Sequence, residues 1–181
     1  MVDRGYEAMT ISDVVAAARV SKKVFYEHFD SKRACVLAAA NQGYGATAQH
    51  IAAAHTRDVP VADRLRLSMR AYLQLCAAEP VFTQALFLEL PAVGRQAQAQ
   101  RSLLRDGLAE ALRLWHEKVR GKYGGPPASE WAYVAAIGGV TEVVATQVER
   151  GQLEQLPALE DALVGIVVDL LQLPAAATTE A

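Results

Sequence analysis

The chain has 181 residues, 52% hydrophobic and 21% charged, which is enough apolar material for one folded domain or a small module on a larger one. Eighteen Lys and Arg stand against 20 Asp and Glu, so at a net charge of −2 the molecule is no polycation and any contact with nucleic acid has to be local. Twelve Gly and seven Pro, without a period, exclude collagen-like and low-complexity classes.

The N-terminus has no apolar run behind a positive start, so no secretion signal is read there and a cytoplasmic protein is expected. Thr10 is placed to cap a helix from Ile11 to about Ala18, with Asp13 at its positive end. Ile11, Val14, Val15 and Ala18 share one face of it. Ser21 offers the next cap, and the helix it opens sets Phe25 and Phe29 on one side with Lys23, Val24 and Glu27 roughly opposite. Asp30 and Ser31 break that helix, and a long run from Lys32 towards His55 follows. Pro60 and Pro80 bracket a helix over Asp63 to Ala78; Pro80 suits the first turn of a short one over Val81 to Leu90, ended by Pro91.

Gly94 to Tyr123 has the spacing of a long amphipathic helix, stopped by Gly124-Gly125-Pro126-Pro127. Ser129 caps a helix from Glu130 to Arg150, ended by Gly151. Within it, Trp131 to Val148 carries a single charge, Glu142, but Thr141, Thr146 and Gln147 leave it short of the about 20 clean apolar residues of a membrane span. Pro157 is expected to open the last helix, running to about Gln172, before a frayed tail.

Two short helices joined by Ala18-Arg19-Val20 match a helix-turn-helix. From Arg19 to Arg33 five basic residues face two acidic ones, a local +3 on an otherwise acidic body. That arrangement suits docking on phosphates. Lysine can donate to guanine O6 and N7, glutamate can accept from cytosine N4, and valine can pack on a thymine methyl.

Gly5-Tyr6-Glu7-Ala8-Met9-Thr10-Ile11, Ala18-Arg19-Val20-Ser21, Phe25-Tyr26-Glu27-His28-Phe29 and Ser31-Lys32 closely resemble the DNA-binding segment of the TetR (tetracycline-repressor-like) family, over about Gly5 to Leu37. The resemblance implies an all-α protein: a helix-turn-helix head over 1–36, a helical effector-binding and dimerisation domain over 37–173, and a tail over 174–181. It implies that Thr10, Tyr26 and Lys32 hold phosphates, that Ser21 caps the recognition helix at the DNA, and that Lys22, Lys23, Val24, Glu27 and His28 face the groove. Three departures stand out. Arg19 replaces the usual Gly of the turn, Lys23 and Val24 replace a small residue and a hydroxyl, and only four residues precede Gly5 where a full helix is usual.

No G-x-S-x-G, Walker or G-x-G-x-x-G string occurs, so no catalytic residue and no cofactor is expected. Cys35 and Cys76 have no metal or redox spacing, and His50 and His55 are i, i+5, so no metal site is expected either. An effector pocket is expected from Met69, Tyr72, Cys76, Phe82 and Phe87, with Leu108, Leu112, Trp115, Trp131 and Glu142; each could equally be core. Ala162 to Val168 is uninterrupted by polar residues, so this helix should be covered on both faces. Paired with the helix at Trp131 and Gly138, it is expected to form a two-fold seam through Leu159, Leu163, Ile166, Val167 and Leu170.

The expected function is a homodimeric repressor that reads a palindromic operator in double-stranded DNA and is released by a small hydrophobic effector. A second reading stays open: a dimeric ligand-binding module whose incomplete head no longer binds DNA.

Overall fold

The computed structural model describes residues 5–53 and 59–174, and among them every regular element is helical. His55 and the tail beyond Pro174 fall outside the described residues. The all-helical expectation, with a helix-turn-helix followed by a larger helical body, agrees with this architecture.

A single turn, α1 (Gly5–Ala8), leads into α2 (Ile11–Ala18) and α3 (Lys22–His28). Thr10 and Asp13 close a reciprocal capping box: the Asp13 amide donates to Thr10 Oγ1 at 3.2 Å, and the Thr10 amide donates to Asp13 Oδ2 at 2.8 Å. α2 stops because Arg19 turns left-handed, at φ 54° and ψ 41°, letting the Val20 amide reach back to the Val15 carbonyl at 3.0 Å. Ser21 then caps α3 by accepting from the Val24 amide at 3.2 Å.

α4 (Lys32–Ala53) is one uninterrupted helix that passes straight through the expected 36/37 division between head and body. A core cluster spans that division too, joining Met9, Val36, Leu37 and Ala40 to Leu90, Val93 and Ala97. Head and body therefore meet through packed side chains and a continuous helix.

The body comprises α5 (Arg64–Ala78), α6 (Pro80–Gln84), α7 (Arg95–Tyr123), α8 (Glu130–Glu149) and α9 (Glu160–Leu170). Leu73, Val119, Ala136, Val144 and Leu156 are fully buried at its centre. Two expected helices come out differently. The run expected over 81–90 breaks into α6, a π-helical turn (Ala85–Glu89) and a 3-10 turn (Leu90–Val93), with Pro91 inside the last rather than ending the segment. Pro at the first turn of a 3-10 helix loses no hydrogen bond, so it continues the chain where it was expected to stop it. Pro157 likewise lies within a 3-10 segment (Leu153–Leu159), and the last helix begins only at Glu160. Leu153 and Leu156 eclipse one another at i, i+3 there, and both are buried.

Candidate nucleic-acid interface and effector cavity

On α3 one residue anchors and the rest are presented. Phe25 is 4% exposed and packs edge-on to Tyr26 and tilted against Phe29. Ser21, Lys22, Lys23, Val24, Tyr26, Glu27 and His28 are all exposed, and none of the charged ones among them forms an ion pair within the described residues. Phe29 is only half-buried, less covered than its pairing with Phe25 implied. Thr10 is exposed beside this face, but its hydroxyl donates to Asp13 Oδ2 at 2.6 Å.

Lys32 is turned towards α1. Its ammonium donates to the carbonyls of Tyr6 and Met9, each at 2.8 Å, and of Glu7 at 3.4 Å, and lies 4.4 Å from the Tyr6 ring centroid. With its protons directed at these carbonyls, Lys32 acts as a clamp on the C-terminal end of α1. Opposite it, the Tyr6 amide donates to Glu89 Oε2 at 2.7 Å. Gly5 is at φ +69°, and a Cβ there would lie 3.0 Å from the same oxygen. Glycine thus lets α1 approach the π-helical turn that carries Glu89. Neither clamp was visible in the sequence, because each joins residues distant along the chain.

Two cavities lie within the body. The smaller one, about 120 Å³ and termed inner because Met69, Leu112 and Trp115 of the body's core line it, also takes in Tyr72, Leu108 and Arg64. The outer one, about 390 Å³, takes in Tyr44, Thr47, Cys76, Phe82, Phe87, Arg101 and Glu142. Tyr72, Leu108, Ile137 and Thr141 line both, so the two adjoin across these side chains. Nine of the ten expected effector residues line one or both. Trp131 lines neither and is 70% exposed, because it sits on the outward face at the start of α8. Tyr44, Arg64, Arg101, Ile137 and Thr141 were missed; nothing marks a residue as cavity-lining until the helices are packed.

Burial pushes the Cys76 thiol up to about 11, against which Tyr72 and Thr83 hydrogen bonding acts in the opposite direction. That thiol stays protonated and serves as apolar lining. His116 is 1% exposed, with Nδ1 2.9 Å from the Tyr133 hydroxyl. Burial and then the Arg120 charge lower its pKa.

The expected seam divides into two sets. Leu163 and Val167 are each 1% exposed in the subunit's own core, and Leu159 packs against that core, so α9 already has one covered face. Gly138 lines the outer cavity. Ile166 at 47%, Leu170 at 41% and Trp131 at 70% stay exposed, with Ala135 and Ala162 exposed beside them in sequence register. The uninterrupted apolar run is a helix with one buried and one open face.

Among the described residues no group of three potential metal ligands occurs, and no helix is long and apolar enough to cross a membrane. No curated protein matches the chain significantly. Among solved structures, the transcriptional regulator FadR from Bacillus subtilis, in complex with stearoyl-CoA, superposes with a TM-score of 0.80 at 17% identity, over 92% of this chain and 90% of that one. The fatty acid degradation regulator FadR from Bacillus halodurans gives 0.81 at 18%, over 93% and 89%. The TetR family transcriptional regulator PfmR from Thermus thermophilus gives 0.69 at 18%, over 91% and 92%. At such identities these likenesses show a shared fold. The family model for bacterial regulatory proteins of the tetR family matches residues 1–39, the segment that holds the helix-turn-helix and Lys32. The head therefore matches the DNA-binding segment of the tetR family of bacterial regulatory proteins, and the whole chain shares the fold of the three regulators.

Proposed function

We propose that the chain is a homodimeric repressor that holds a palindromic operator and lets go when an elongated, largely apolar effector enters its body. One observation carries the reading: α3 buries Phe25 and turns Lys22, Lys23, Val24, Tyr26, Glu27 and His28 outward together. Tyr26 is the phosphate contact in this reading, and the other five read the groove. Thr10 and Ser21 hold the helix ends at the DNA, through the caps they form. Residues 1–36 act as the head and 37–173 as the effector and dimer domain.

The exposed Ile166 and Leu170 on one face of α9, with Trp131 exposed on α8, support a two-fold seam, since exposed apolar surface on a helical body calls for cover. Two heads about 34 to 36 Å apart, or a multiple of one turn, would read a palindrome. The effector class is supported by the paired cavities. From Arg64 to Cys76 the lining runs along α5, about 18 Å at 1.5 Å per residue, which suits a chain rather than a compact ring system. The stearoyl-CoA of the Bacillus subtilis FadR also carries a long chain.

Release requires that effector and DNA favour different arrangements. α4 is the natural connection, because Val36 and Leu37 belong to the core shared with the head while Tyr44 and Thr47 line the outer cavity. Between them, Phe82 of the cavity wall lies so close to Gly43 that a Cβ there would stand 1.9 Å from the Phe82 ring. An effector that displaces Phe82 therefore acts on the α4 backbone.

A gel shift with a palindromic library at two salt concentrations tests the reading. Binding that weakens with salt, with Glu27→Ala changing which base is preferred at one position, is the expected result. Equal loss at every operator for Glu27→Ala refutes groove reading by this face, and no binding at either salt returns the module reading.

A further inference from the structure

Along α5, Arg64, Arg66 and Arg70 differ in what they meet. Arg66 pairs with Glu160 at 3.2 Å and with Asp161, and Arg70 pairs with Glu160 at 2.8 Å. Arg64 has no carboxylate partner within the described residues, lines the inner cavity, and keeps its Nε buried without a hydrogen-bond acceptor.

The other polar groups of that cavity are already engaged. Ser68 donates to the Arg64 carbonyl at 2.7 Å, Thr141 to the carbonyls of Ile137 and Gly138 at 3.0 and 2.9 Å, and Trp115 Nε1 to the Val61 carbonyl at 2.7 Å. The rest of the wall is apolar apart from Tyr72, whose hydroxyl meets Cys76. Arg64 is the one charged residue in that lining among the described residues, and its Nε–H has no acceptor from the protein.

Resting on the effector cavity proposed above, we propose that the effector is a free long-chain carboxylic acid, seated acid-first, with its carboxylate on Arg64 at the inner end and its chain running past Tyr72 and Leu108 into the outer cavity. A carboxylate matches the planar guanidinium fork and is small enough for a space of about 120 Å³. A nucleotide-bearing head is too large for that end. The alternative anchor is Arg101, at the outer cavity, exposed and with its guanidinium carbon 6.0 Å from the Phe87 ring centroid.

Isothermal titration of the full chain with hexadecanoic acid, hexadecan-1-ol and hexadecanoyl-CoA decides between them. The acid is expected to bind at least about tenfold more tightly than the alcohol. Arg64→Met should bring acid and alcohol to within about twofold, with Arg64→Lys restoring part of the preference. Equal binding of acid and alcohol by the unaltered chain overturns the proposal without any variant having to fold. So does a preference that survives Arg64→Met but disappears in Arg101→Gln, or tighter binding of hexadecanoyl-CoA than of the acid. Release of operator DNA by saturating alcohol, with no advantage for the acid, would overturn the carboxylate while upholding an apolar-chain effector. If none of the three binds, both readings fall.

Discussion

Head and body are held together by different physics. In the body, side chains such as Leu73, Val144 and Leu156 are wholly withdrawn from water, and α5, α7, α8 and α9 close around them. In α2 and α3 together only Val15 and Phe25 are buried, and order comes from caps, a left-handed turn and a lysine on three carbonyls. The surface proposed to meet DNA has to stay exposed, so the head relies on polar devices and on core borrowed from Leu90, Val93 and Ala97. The contrast means that damage to the body should register as lost stability, and damage to the head as lost grip.

The largest expected effect is in the body. Leu156→Ala removes a fully buried side chain where a 3-10 segment joins the core, and should cost about 2 to 5 kcal/mol in urea unfolding. A smaller loss would mean that this junction collapses around the deletion.

Lys32→Ala sharpens the contrast from the other side. Losing a cation that caps three carbonyls should cost about 2 kcal/mol, confined to the head, seen as faster hydrogen exchange in α1 and α2 with the body protected as before. DNA affinity should fall while its salt dependence keeps the same slope. A slope flattened by about one unit would instead assign Lys32 to a phosphate.

Arg19→Gly should strengthen the head. Arg19 occupies the left-handed region at φ 54°, a conformation that costs a non-glycine residue about 1 to 2 kcal/mol, and glycine should return about 1 kcal/mol after its own unfolded-chain entropy. Unchanged exchange protection in α2 and α3 would show that the neighbouring caps already offset the strain.

The smallest effect belongs to the body and depends on pH. The buried His116 has its pKa lowered from the ordinary histidine value of 6.5 by burial and then by Arg120, with Glu117 opposing. The unfolded chain therefore takes up the proton first. The stability tied to the neutral ring is complete above about pH 6.5 and falls as pH drops towards the folded-state pKa. The melting temperature should decline over that window, and His116→Phe should flatten the decline; an unchanged decline would assign it to other groups.

Local chemistry along the chain was enough for the helix-turn-helix. Thr10, Asp13 and Ser21 cap within three residues, and the alternation of Phe25 and Phe29 with Lys23 and Glu27 follows from 3.6 residues per turn. The family resemblance placed Lys32 among the expected phosphate contacts, and its clamp on α1 was not legible, because Lys32 and the carbonyls it meets are distant along the chain. The π-helical turn was illegible for the same reason. Nothing local distinguishes Ala85–Glu89 from ordinary helix, and its register matters only because Glu89 meets Tyr6 across the molecule.

What the amino-acid order determined by itself is therefore everything set by neighbours a few positions apart: the helices, their caps, the polar face of α3 and the family it resembles. Only tertiary structure decided which face of α9 stays open, which helices enclose the cavities, and that Arg64 has no carboxylate partner among the described residues while Arg66 and Arg70 have theirs. Burial and pairing depend on what other segments bring to the same place, and that information is distributed over the whole chain rather than carried at any one position.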